Sequence, residues 1–98
     1  MELRFRTSKL RRCFEESRRA VREWGPDVGT RYVQRLLVLQ ASDRLDDVYE
    51  NRAFDLHPLR GDRRGQYAIR LTGSVRLIIT ADADRRSVIV EEVTDYHG

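Results

Sequence analysis

The sequence has two histidines, His57 and His97, and imidazole is the side chain most often used to take and give protons in catalysis. Each stands among groups suited to a phosphodiester. His57 lies in Leu56-His57-Pro58-Leu59-Arg60-Gly61-Asp62-Arg63-Arg64-Gly65-Gln66-Tyr67, and His97 follows Asp95 and Tyr96. From His57 to Arg76 there are five arginines (Arg60, Arg63, Arg64, Arg70 and Arg76) against one acid, Asp62. The planar fork of arginine grips phosphate bidentately and stays charged at any physiological pH. RNA brings its own nucleophile, the 2′-hydroxyl. Its cleavage therefore needs a base for that proton, an acid for the leaving 5′-oxygen and cations around the crowded phosphate. Two histidines, a tyrosine and an arginine cluster are a sufficient set with no cofactor and no metal. Two histidines, one cysteine and no paired ligand spacing argue against a zinc site.

Plainer roles are open to the same residues. His57, before a proline on a strand, could bond only a neighbouring carbonyl. Tyr96 either stacks on an unpaired base, shares in proton transfer or closes the edge of the core. Asp95 is placed to orient His97, at a chain end where fraying is the default. Arg63 and Arg64 form either a solvated charge run or a contact to RNA phosphates. Asp82 and Asp84 have the look of a metal pair, but they lie in a turn between strands, where a solvated hairpin is the expected reading. Arg70 and Arg76 share a face only if their hairpin loop has the right length. A two-residue Gly73-Ser74 loop separates them, and a three-residue loop ending at Gly73 puts them on one side.

The elements that must position these groups follow from pattern. The 98 residues suit one domain spanning 1–98, and 40% hydrophobic against 36% charged residues fits a folded domain with a heavily charged surface. Glu2 to Arg6 alternates as a short strand. Thr7 and Ser8 offer an N-cap, and Leu10, Cys13, Phe14, Ser17, Val21 and Trp24 at helical spacing predict a first helix over 8–24, stopped by Gly25-Pro26. Pro26 opens a second helix carrying Val28, Tyr32, Leu36 and Leu39, so the two form an antiparallel hairpin on one face of a sheet. The acidic stretch from Ala41 to Asn51 reads as a turn or one helical turn, either solvated or covering a basic patch. Strands are expected at Ala53–Leu59, Tyr67–Leu71, Val75–Thr80 and Ser87–Val93. The fold class is α+β, with an N-terminal strand and a two-helix antiparallel hairpin packed on a mainly antiparallel four- to five-stranded sheet. Cys13 is alone and no apolar leader or membrane-length run is present, which points to a reducing cytoplasm.

The run Leu56 to Tyr67, together with Val75-Arg76-Leu77-Ile78, the Leu-Asp-Asp element at Leu45 to Asp47 and the terminal Asp95-Tyr96-His97, resembles the RelE superfamily of toxins. Within it, the run resembles the HigB-like plasmid-maintenance killer group. The resemblance implies a RelE-like fold and a ribosome-dependent mRNA endonuclease, neutralised by a HigA-like helix-turn-helix antitoxin that links it to operator DNA. It places the functional positions on His57, Arg60, Arg76, Asp95, Tyr96 and His97, and leaves Arg63, Arg64 and Arg70 to ribosomal RNA. The Arg60 position is commonly lysine in such proteins, and the position of Val75 commonly aromatic. The related ParE-like toxins act on gyrase without cutting RNA, and a non-catalytic RNA-binding module is a third possibility on the same scaffold.

Overall fold

The computed structural model describes residues 1–95. The chain runs β1 (Glu2–Phe5), α1 (Ser8–Glu15), α2 (Ser17–Ala41), a 3₁₀ turn at Leu45–Val48, β2 (His57–Pro58), a second 3₁₀ turn at Gly61–Arg63, β3 (Gln66–Arg70), β4 (Val75–Ala81) and β5 (Ser87–Asp95). The sheet order is β1-β5-β4-β3-β2. β1 runs parallel to β5, and every other pairing is antiparallel. The α+β expectation of helices on a mainly antiparallel sheet therefore holds.

The helical part departs from the sequence pattern in one respect. The helix expected over 8–24 breaks at Glu16, whose backbone is extended (φ −129°, ψ 99°). Ser17 supplies no apolar contact one turn after the buried Cys13, so packing does not hold the helix through that turn. The hairpin bend falls at Gly25-Pro26 as expected. Gly25 takes φ 87°, a conformation that glycine adopts without steric cost, and residues 17–24 and 26–41 form the two arms of α2. The arms meet at Gly29, where an added Cβ would sit 2.6 Å from the Ala20 carbonyl and the Val21 nitrogen. Trp24 lies 4.6 Å from Tyr32, ring to ring, and the Tyr32 hydroxyl donates to the Leu10 carbonyl at 2.7 Å. Burial pushes that hydroxyl's pKa upward, so it stays protonated and keeps donating.

The core lies between the helices and one face of the sheet. Leu36, Leu39 and Tyr32 of α2 meet Ile69, Leu77, Ile79, Val88 and Val90 from alternate strand positions. The Leu45–Val48 turn closes one end. Its Asp46 pairs with Arg85 of the β4–β5 hairpin at 2.8 Å, and Asp47 accepts the backbone N–H groups of Asp43 and Arg44. Of the acids between Ala41 and Asn51, Asp46 thus pairs with Arg85 and Arg44, and Asp47 caps the turn.

The strand expected over Ala53–Leu59 shortens to His57–Pro58. Residues 52–54 turn, and Asp55 takes φ 46°, so the chain enters the sheet edge only at His57. Proline lacks an amide hydrogen and is tolerated there because β2 is an edge strand.

Candidate functional site

The face of the sheet turned away from the helices carries several of the candidate residues. Residues paired directly across antiparallel strands point to the same side. His57 pairs with Ala68, Ala68 with Ile78, and Ile78 with Glu92, which makes one row across four strands. The next row is Arg70, Arg76 and Thr94. Ala68 and Ile78 are fully buried, yet stand outside the core formed beneath the helices. Covered from solvent, they form a small apolar strip flanked by His57 on one side and Glu92 on the other. Three strand spacings of about 4.8 Å separate those flanks, a trough roughly 14 Å wide at the backbone.

Arg70 and Arg76 share that face. The turn between them is the three-residue Thr72-Gly73-Ser74, one position later than the loop considered from sequence. It is closed by the Leu71 N–H donating to the Val75 carbonyl at 2.9 Å. Arg76 Nη1 donates to the carbonyls of Thr72, Gly73 and Val75, which locks the turn. Its other donors make no hydrogen bond to the described residues. Arg63 reaches back over the face from its 3₁₀ turn and pairs with Glu92 at 3.1 Å. Arg60 and Arg64 are exposed at the two ends of that turn.

His57 is held by a residue that the sequence pattern did not single out. Its Nδ1–H donates to the Asp55 carbonyl at 2.8 Å, the plain bond considered for a histidine at this position. That bond selects the tautomer with a lone pair on Nε2, which makes no hydrogen bond to the described residues. The Asp55 side chain lies 3.5 Å from Arg70. One residue thereby fixes the imidazole through its backbone and steadies the neighbouring cation through its carboxylate. His57 and Arg70 are diagonal neighbours, about 7–8 Å apart at the backbone, within joint reach of one phosphate.

Asp95 falls elsewhere. It pairs with Val75 and accepts from the Ser74 hydroxyl at 2.5 Å, on the side of the sheet facing Trp24 and Val28. The fold brings together His57, Arg63, Arg70 and Arg76, and does not bring Asp95 onto their face. Tyr96 and His97 lie outside the described residues. Glu92 was missed, although a signal for it existed. Two successive acids in Val90-Glu91-Glu92-Val93 cannot alternate without one entering the core, and the β4–β5 register shifts at this point. Glu91 is the extra residue, accepting from the Thr80 hydroxyl at 2.8 Å. Asp82 and Asp84 belong to a hairpin, where Asp82 accepts the backbone N–H groups of Arg86 and Ser87.

The chain matches no protein-family profile and no curated protein sequence. Its fold is similar to that of several solved structures. YafQ from E. coli strain BL21(DE3) has a TM-score of 0.61 at 13% identity, covering 96% of this chain and 91% of that one. The YoeB–YefM complex from Staphylococcus aureus has a TM-score of 0.60 at 14% identity, covering 100% and 98%. The toxin–antitoxin complex RelBE2 from Mycobacterium tuberculosis has a TM-score of 0.50 at 20% identity, covering 97% and 96%. Among the described residues no helix is long and apolar enough to cross a membrane. With helices on one side of a mixed five-stranded sheet and cations on the other, the chain has the RelE-like fold of toxins from toxin–antitoxin pairs.

Proposed function

We propose that this chain is the toxin of a type II toxin–antitoxin system, a cytoplasmic endoribonuclease of HigB-like type that cuts mRNA on the ribosome. The observation that carries the reading is a single sheet face holding His57, with Nε2 poised as an acceptor, beside Arg70 and Arg76. His57 takes the proton of the 2′-hydroxyl as that oxygen attacks the adjacent phosphorus. Arg76, Arg70 and Arg60 balance the charge that builds on the phosphate oxygens. His97, with Tyr96 beside it, supplies the proton for the departing 5′-oxygen. Arg63 and Arg64 lie at the rim, where ribosomal RNA phosphates would meet them. The partner is an antitoxin, a reading supported by the RelBE2 and YoeB–YefM neighbours, both solved as complexes, and its HigA-like helix-turn-helix type follows from the sequence resemblance alone.

The test is to add the protein to translating ribosomes and map mRNA 5′ ends. New ends inside coding regions, absent with His57→Ala, are expected. Intact messages at concentrations that stop protein synthesis would exclude the reading. If removing both histidines left growth inhibition intact while DNA supercoiling was blocked, the ParE-like alternative would replace it.

A further inference from the structure

Arg35 is buried at 6% exposure, and its guanidinium is surrounded by neutral acceptors. Nε donates to the Arg70 carbonyl at 3.1 Å, Nη2 to the Ala53 carbonyl at 3.4 Å and Nη1 to the Gln34 side chain, while the plane lies 4.9 Å from the Phe54 ring. Arg31, one turn earlier and exposed, gives one bond to the Leu71 carbonyl at 3.3 Å. Among the described residues no carboxylate pairs with either. Both line an open groove of about 590 Å³ between α2 and the β3–β4 turn, with Gln34, Arg70, Thr72 and Gly73. No acid lines it.

Arginine cannot shed its proton to relieve burial, so Arg35 is a standing positive charge beneath the groove. Burial first, and then Arg31, pull its guanidinium below the ordinary arginine range, which is the mark of a cation short of counter-charge. Arg31 keeps four of its five N–H donors for a ligand. Arg70 belongs to the groove and to the trough alike, so the two are continuous around the hairpin turn that Arg76 locks from the other side.

We infer that this groove binds the phosphodiester backbone of the RNA strand entering or leaving the trough, with Arg31 gripping a phosphate over the buried Arg35. The inference rests on the reading of the trough as an RNA site. Phosphate is favoured over an acidic peptide because the fork of Arg31 matches two phosphate oxygens, and the large apolar residue of the lining, Leu71, is buried and offers no seat for a peptide side chain.

The experiment measures binding of a short fluorescein-labelled single-stranded oligoribonucleotide to the full chain across a salt series. Arg31→Gln should weaken binding several-fold and reduce the slope of log affinity against log salt by about 0.7, the loss of one phosphate contact on a single strand. Gln34→Glu places a carboxylate beside Arg35. It should weaken RNA binding while leaving thermal stability equal or higher, which separates lost affinity from lost folding. Unchanged affinity and slope in both variants would overturn the inference. So would displacement of the RNA by poly-glutamate more readily than by unlabelled RNA. Cleavage on ribosomes keeps this idea distinct from the nuclease reading. If His57→Ala abolishes cleavage while both groove variants bind RNA like the parent, the groove fails alone. If His57→Ala stays fully active while Arg31→Gln loses affinity, the groove stands and the nuclease mechanism falls.

Discussion

The proposed chemistry of the trough depends on one imidazole, His57, whose orientation is set by the Asp55 backbone carbonyl. Replacing His57 with alanine removes an exposed side chain and should leave the fold intact, while cutting of ribosome-bound mRNA drops by about 10²–10⁴-fold, the usual contribution of a positioned general base. Comparing single-turnover cleavage with the circular dichroism melt would expose a merely structural role, since a fold defect moves both. Asp55 offers a finer probe. Asparagine tolerates its positive φ of 46° and keeps the carbonyl that holds His57, but loses the charge beside Arg70. Asp55→Asn should therefore bind RNA more tightly at low salt with little change in melting temperature, and a large loss of stability would contradict this account of the turn. At this scale residue type and spacing singled out His57 and the arginine cluster, while the face shared by Arg70 and Arg76 waited on the length of the loop between them. Asp55 was not, because a carbonyl carries no sequence signal. Asp95 was placed by proximity to His97 in sequence, whereas strand alternation turns it to the other side of the sheet.

At the scale of elements, the arms of α2 approach so closely that only a hydrogen fits at position 29. Gly29→Ala would push a methyl into the backbone of residues 20 and 21, and should cost about 1–3 kcal/mol or more in urea unfolding, since backbone cannot rotate away as a side chain can. The β4–β5 hairpin makes a pH prediction. The Ser87 backbone N–H, assisted by that of Arg86, holds the Asp82 carboxyl below its ordinary value. A depressed carboxylate stabilises the fold above its unfolded pKa of about 3.9, and that contribution disappears as pH falls through the lower, folded value. Asp82→Ala should thus lower the melting temperature at neutral pH and show a shallower further fall on acidification. Equal slopes for parent and variant below pH ~4 would refute the assignment. Apolar periodicity located the Gly25-Pro26 bend, β3 and β4 well. It missed the break at Glu16 and overextended β2, because both are decided by tertiary packing and by the backbone of Asp55.

For the molecule as a whole, stability should grade across the sheet. β4 lies at its centre with partners on both sides, whereas β2 is a two-residue edge. Amide exchange is therefore expected to be slowest in the Leu77–Ile79 stretch and fast at His57, and protection at His57 matching that of Ile78 would show that the site edge is more rigid than its pairing implies. The layering itself was legible from one alternating strand, two amphipathic segments and a meander. The parallel seam was not, since nothing in the alternation of Glu2–Phe5 names its neighbour.

That seam has a consequence in time. Glu2 pairs with Ser87 and Phe5 with Val90, so β1 can find its place only beside β5, some eighty residues later in the chain. Closing a loop of that length before any reward from pairing slows folding, and on a ribosome β1 must wait until β5 has cleared the exit tunnel. The candidate face draws on β3 and β4 and its far wall on β5, so it is completed only once β5 has been made.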